Sequence, residues 1–287
     1  MVTAVIWEVG LPLFSAVTVA LVGVLTRKTD DRFAYIALLN FTVMVLALPI
    51  LPFAPWPTPK AWWLLLASTV VHWIYQLCMI RTLAMGDLSL AFPIMRGLAP
   101  LMIAIVATLV LNESQSALAW TGLAIATLAL MGFGLVGHSV RDAATHPDIF
   151  LSAIATAICV AAYTTIDAAG VRAMHADDGW GFVVWFFVLG GAPAIFTGLH
   201  FRRTSLVVTL GATWKPAVTA GILSFFSYGS ALIAMGMFPV AHVAALRETS
   251  IVFAAVFGWL ILGEPFGTIR VALAAIVVGG LVILKLN

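Results

Sequence analysis

Long apolar runs alternate along the chain with short polar breaks. Ten runs approach or exceed the roughly 20 residues a helix needs to cross the hydrocarbon core, at about 5–26, 33–52, 61–84, 88–111, 117–137, 148–170, 180–199, 214–236, 239–262 and 266–286. The breaks fall at Arg27 to Arg32, Pro52 to Pro59, Gly86-Asp87, Asn112 to Ser116, His138 to Pro147, Asp177 to Gly179, Arg202-Arg203 and Gly263 to Pro265. This pattern predicts an all-α integral membrane protein with ten transmembrane helices, called spans 1 to 10 below.

The runs also repeat. Ala84-Met85-Gly86, Arg96 and Leu111-Asn112-Glu113 return as Ala234-Met235-Gly236, Arg247 and Leu262-Gly263-Glu264. From Arg96 to Glu113 and from Arg247 to Glu264 the offset is a constant 151 residues, and between the Ala-Met-Gly copies it is 150. An internal duplication is expected, divided by the polar segment near 138–147 into a first five-helix repeat at 1–137 and a second at 148–287. Because five is odd, the second unit enters the membrane in the opposite direction, and inverted repeats follow from parity. The charges agree. Arg27, Lys28 and Arg32 follow span 1, whereas Arg172 with Asp177 and Asp178 follows span 6. Only Lys60 follows span 2, whereas Arg202, Arg203 and Lys215 follow span 7. Taken alone, this bias puts the 27–32 and 202–215 loops in the cytoplasm and both termini outside.

Composition strengthens the class: 63% of the 287 residues are hydrophobic, 9% are charged and the mean hydropathy is +1.11, so little soluble mass is present. A formal charge of +2 gives no sign of a nucleic-acid partner. The partners expected are the lipid bilayer and a small-molecule substrate, with monomer and homodimer both open. Cys78 and Cys159 lie inside apolar runs and form no disulfide or metal framework, and no cofactor is expected. The first basic residue is Arg27, so a cleaved signal peptide is not expected. The chain contains no Walker A, HExxH, GxSxG or GxGxxG sequence, which removes a nucleotide-driven pump and a recognisable intramembrane hydrolase. No catalytic residue is therefore assigned. Secondary transport is the leading reading, with a passive pore or a membrane-embedded enzyme as alternatives.

Candidate chemistry comes from polar groups at membrane depth, where an ionisable side chain is costly unless paired or facing water. Arg96 and Arg247 each lie about three residues before the midpoint of their spans, roughly 5 Å from the midplane on opposite sides. Each can either touch an anionic substrate or anchor helix packing through an acid or carbonyls. Glu248 neighbours Arg247, but adjacent helical positions point about 100° apart, so the two need different partners. His72, Tyr75, Gln76 and Met79 form one helical stripe at i, i+3, i+4 and i+7, suited to lining a cavity, or else to a packing seam. Thr156, Cys159, Tyr163 and Asp167 form a similar stripe in span 6. Substrate contact is expected from His72, Tyr75, Gln76, Arg96, Tyr163, Tyr228 and Arg247, with Glu248 and Asp167 as candidate coupling acids. For Asp167 an interfacial pair with Arg172 is the competing expectation. Pro93 and Pro100 should interrupt span 4, while span 9 has Ala244 and Ile251 at those offsets and should bend less. Glu113 and Glu264 read as fold markers at helix ends.

Phe92-Pro93-Ile94-Met95-Arg96-Gly97-Leu98-Ala99-Pro100 and Ala244-Ala245-Leu246-Arg247-Glu248-Thr249-Ser250, each followed by an apolar run ending in Leu-x-Glu, resemble the EamA branch of the drug/metabolite transporter superfamily. Tyr163-Thr164-Thr165-Ile166-Asp167-Ala168-Ala169-Gly170-Val171-Arg172 resembles a sixth-helix pattern of one EamA group. The resemblance implies a multi-pass carrier of the cell membrane, the inner membrane in a Gram-negative source, and a family that moves amino acids, sugars, nucleotide sugars and other metabolites. It also implies cytoplasmic termini, against the charge bias. The only acid in span 1 is Glu8, at its edge, which disfavours the proton-driven drug efflux of the small multidrug exporters. With two deep arginines, amino-acid export, or transport of another carboxylate-bearing compound by alternating access, is the expected activity.

Overall fold

The computed structural model describes residues 2–26, 32–85, 95–135, 147–201, 208, 214–262 and 267–285. Among the described residues twelve α-helices are built from the apolar runs: α1 (Val2–Thr26), α2 (Arg32–Ala47), α3 (Pro59–Met85), α4 (Ala99–Leu111), α5 (Ala117–Leu135), α6 (Pro147–Arg172), α7 (Gly179–Leu189), α8 (Ala192–Phe201), α9 (Trp214–Met237), α10 (Val240–Glu248), α11 (Ser250–Leu262) and α12 (Thr268–Lys285). Seven segments among the described residues are long and apolar enough to cross a membrane, the α7–α8 and α10–α11 pairs each counting as one. Three shorter apolar helical segments run over Phe33–Ala47, Met95–Leu111 and Ala117–Phe133. Large apolar side chains such as Leu109 (76% exposed), Leu128 and Phe196 face outward, as lipid contact requires and water would penalise. The protein is an all-α, multi-pass membrane protein.

Helix boundaries follow local chemistry. Span 2 stops at Ala47, earlier than its apolar run, because Pro49 and Pro52 cannot continue the hydrogen-bond ladder, and a 3-10 turn at Leu51–Phe53 takes over. Thr58 starts α3: its Oγ1 accepts the Ala61 N–H at 3.1 Å and donates to the Ala173 carbonyl at 2.8 Å. Ser116 Oγ accepts the Ala119 N–H at 3.1 Å at the start of α5. Asn112 closes α4 in the left-handed region, with φ 55°.

Among the described residues three spans are interrupted. Span 7 divides at Gly190-Gly191, which the apolar run did not reveal. Span 4 loses helical form at Leu98, just before Pro100 in the first turn of α4; Pro93 lies outside the described residues. Span 9 is interrupted too, at Thr249, although it has no proline at the offsets of Pro93 and Pro100. The Thr249 hydroxyl donates to the Leu246 carbonyl at 2.6 Å and its N–H reaches the same carbonyl at 3.3 Å, a tighter turn that interrupts the α ladder without a proline.

Packing is organised in long pairs: α1 lies along α9, α3 along α6 and α5 along α12. The α5–α12 crossing is backbone to backbone, since a Cβ on Gly122 would meet the Gly280 carbonyl oxygen at 2.6 Å. α1 also packs on α11, and α4 on α6.

Candidate functional site

A cavity of about 880 Å³ lies among the helices. Its lining comes from Val19 to Val24 of α1, from His72 to Ile80 of α3, from Phe133 of α5, from Thr156 to Tyr163 of α6 and from Arg270 of α12. The cavity is therefore displaced toward the end of the bundle where α1, α3 and α5 finish and α6 and α12 begin. The opposite end is tied together. Trp56, Trp62 and Trp185 pack edge to face with ring centroids 4.9–5.6 Å apart, and Trp185 Nε1 donates to the Pro55 carbonyl at 3.2 Å. Arg172 joins Glu113 at 2.6 Å and donates to the Met235 and Phe238 carbonyls at 3.0 and 2.9 Å, while Glu113 Oε2 accepts the Val240 N–H at 2.9 Å. Glu113 thus caps α10 and fastens the ends of α4, α6 and α9. Glu264 lies outside the described residues.

All seven side chains expected to contact substrate line this cavity: His72, Tyr75, Gln76, Arg96, Tyr163, Tyr228 and Arg247. The α3 stripe brings His72, Tyr75 and Gln76 to one face, and α6 and α9 bring tyrosines against it. The His72 ring lies 3.9 Å from Tyr163, 4.8 Å from Phe186 and 5.6 Å from Tyr228, and Tyr75 lies 5.1 Å from Tyr163. Phe186 was not foreseen, since nothing marks it within the uniformly apolar α7. Tyr75 donates to Met79 Sδ at 3.3 Å. The Gln76 side-chain carbonyl is buried with no hydrogen-bond partner, an acceptor left open in the wall.

The arginines differ. Arg96 Nε lies 2.9 Å from Glu248 Oε2, with both side chains almost buried, and Arg96 Nη2 lies 3.3 Å from Ser250 Oγ. The pair is a charge contact without hydrogen-bond alignment, because neither atom meets hydrogen-bonding geometry. Arg247, only 7% exposed, donates through Nε to Ser15 Oγ at 3.0 Å, and its guanidinium lies 5.2 Å from the Tyr228 ring centroid. Ser15 is held by Ser227, whose hydroxyl donates to the Ser15 carbonyl at 2.9 Å. Among the described residues no carboxylate lies within ion-pair distance of Arg247. Arg247 and Glu248 do take different partners, as adjacent positions on a helix must.

Asp167 does not pair with Arg172, which is engaged by Glu113. A separation of five residues turns a helix through about 500°, placing the two side chains some 140° apart. Asp167 is instead fully buried behind the cavity wall, accepting hydrogen bonds from Ser68 Oγ and from the Tyr228 hydroxyl, with His72 Nε2 at 3.8 Å from Oδ2. Ser68 was missed by the sequence reading, although it lies one turn before His72 on the same stripe. Glu248 is likewise behind the wall rather than on it. Among the described residues no group of three or more His, Cys, Asp or Glu side chains is placed to hold a metal ion.

A solved structure titled only as the crystal structure of a protein is similar in fold, with a TM-score of 0.78 over 97% of this chain and 97% of that chain at 15% identity. No curated protein matches the sequence. Residues 149–286, the second half of the chain, match the model of the EamA-like transporter family.

Proposed function

We propose that the chain is a ten-helix secondary carrier of two inverted five-helix halves, 1–137 and 148–287, which moves a small carboxylate-bearing metabolite, best an amino acid, by alternating access. The observation that carries the substrate class is Arg247, a buried guanidinium on the cavity wall with no carboxylate partner among the described residues. A buried cation of this kind is costly until an anion meets it. A substrate carboxylate supplies that anion. The open Gln76 carbonyl and the tyrosine and phenylalanine faces suit an ammonium group or an apolar side chain on the same molecule. Arg96 lines the same space with its charge already matched by Glu248.

Support for the inverted halves comes from the helix pairing. Under the proposed repeat, span 1 corresponds to span 6 and span 3 to span 8, so the α1–α9 and α3–α6 pairs are images of each other. The displaced cavity with a tied far end is one face of an alternating cycle, and opening the other face requires release of the Arg172–Glu113 tie.

A thermal-shift screen of purified protein against amino acids, organic acids and phosphorylated metabolites tests the reading, because a ligand stabilises the state it binds. Selective stabilisation by a carboxylate compound that is lost in Arg247→Gln supports it. Stabilisation only by uncharged or cationic compounds overturns it. In liposomes the same compound should show saturable uptake and counterflow, which a passive pore lacks, and should emerge chemically unchanged, which a membrane enzyme would not allow. The charge bias further predicts that a cysteine at Thr29 resists an impermeant thiol reagent in intact cells; rapid labelling there places the termini in the cytoplasm.

A further inference from the structure

We infer that His72 and Asp167 together form a proton-binding site at the back of the cavity. His72 Nδ1 lies 3.1 Å from the Ser68 carbonyl oxygen, which can only accept, so Nδ1 carries the ring hydrogen. The Ser68 hydroxyl spends its one hydrogen on Asp167 Oδ1 and therefore accepts from Nδ1, 3.2 Å away, which agrees with the same tautomer. His72 Nε2 is then a bare lone pair, and it faces Asp167 Oδ2 at 3.8 Å. Two acceptors confront each other across a gap with no hydrogen between them.

One added proton resolves this. Taken up on Nε2 it gives an imidazolium facing a carboxylate; taken up on Oδ2 it gives a carboxylic acid facing a neutral ring. Either way the proton lies between the two atoms and completes the contact. His72 lines the cavity whereas Asp167 is fully buried behind it, so a proton from cavity water reaches the pair through the imidazole. The groups around the pair are Tyr163 of α6, stacked on His72, Tyr228 of α9, donating to Oδ2, and Arg247 of α10 beyond the Tyr228 ring; α7 contributes Phe186, which does not titrate. The pair links α3, α6 and α9, so its occupancy changes how these helices are held together. Its link to transport rests on the carrier reading above: Tyr228 touches Asp167 with its hydroxyl and Arg247 with its ring, so proton and substrate anion bind on two sides of one side chain.

Infrared difference spectra of ligand-free purified protein between about pH 5 and pH 8 test the site without any substrate, so the result stands apart from the carboxylate reading. The expected spectrum gains imidazolium or protonated-carboxyl bands on acidification. These bands vanish in Asp167→Asn and persist in Glu248→Gln. In Tyr228→Phe, which keeps both partners, they persist with the midpoint moved by about one pH unit. Histidine-labelled NMR of the wild type, with His72→Gln identifying the resonance, should report the same midpoint at His72, which keeps the test valid if Asp167→Asn does not fold. Bands that survive in Asp167→Asn, that disappear in Glu248→Gln, or that follow sodium at fixed pH overturn the proposal. So does a wild-type protein with no such transition and an unchanging His72 resonance.

Discussion

Spans 4 and 9, which the proposed repeat makes equivalent, are both interrupted, and they differ beside their arginines. Each loses helical form two residues after its arginine, at Leu98 and at Thr249, positions 151 residues apart like the arginines themselves. The causes are unlike. In span 4 Pro100 lacks the N–H that would reach the Arg96 carbonyl, and in span 9 the Thr249 hydroxyl takes the Leu246 carbonyl. The neighbouring residue differs too. Gly97 packs on the α5 backbone, where a Cβ would meet the Met131 nitrogen at 3.0 Å, while its counterpart Glu248 reaches across to Arg96. One acid thus serves one arginine, and it comes from the other span. Among the described residues Arg96 therefore has a carboxylate within ion-pair distance and Arg247 has none, and that difference is what the proposed anion site rests on.

The largest expected effect tests the matched arginine. Arg96→Gln strands the Glu248 carboxylate in a buried site and should cost about 3–5 kcal/mol of stability, with most of it recovered in the Arg96→Gln, Glu248→Gln double variant. Unfolding curves in detergent decide; equal stability of single and double variants would show that the pair locks nothing. Next comes a proline in span 9. At Val256, inside α11, it should cost about 3 kcal/mol or more, whereas at Ile251, the position matching Pro100 in the first turn of α11, it should cost clearly less, because no ladder bond is broken there. Similar losses at both positions would mean that the span 9 break does not persist in the membrane.

Arg247→Gln addresses the arginine with no carboxylate within ion-pair distance among the described residues. It should weaken binding of the stabilising carboxylate by about 1.5–3 kcal/mol, roughly 10- to 100-fold, with a smaller stability change than Arg96→Gln. Titration calorimetry on monodisperse protein measures it, and unaltered affinity would move the anion contact elsewhere. The smallest effect is that of Thr249→Val, which removes one hydroxyl bond to a carbonyl and should cost about 0.5–1.5 kcal/mol. A gain in stability instead would mark the break as strain held for function.

Hydrophobic periodicity and residue spacing sufficed to identify the membrane class, the apolar segments and the cavity-facing set, because lipid demands long apolar helices and a helix repeats its faces every 3.6 residues. The stripe His72, Tyr75 and Gln76 needed nothing more, and extending it one turn back would have reached Ser68. The break at Gly190-Gly191 was not foreseen, although two glycines ahead of Pro193 are punctuation that could have marked it. Thr249 was not, since a threonine sits in many unbroken helices and interrupts one only when its hydroxyl turns inward. Partner choice is the part that the tertiary structure alone decided. Asp167 meets Ser68 and Tyr228 rather than Arg172, Glu113 takes Arg172 and caps α10, and Glu248 answers Arg96 from the other half. Each of these contacts joins residues 59 to 152 positions apart. A sequence shows which faces its helices carry; which faces meet depends on how all the helices pack at once, and that packing decides which buried charges come within reach of each other.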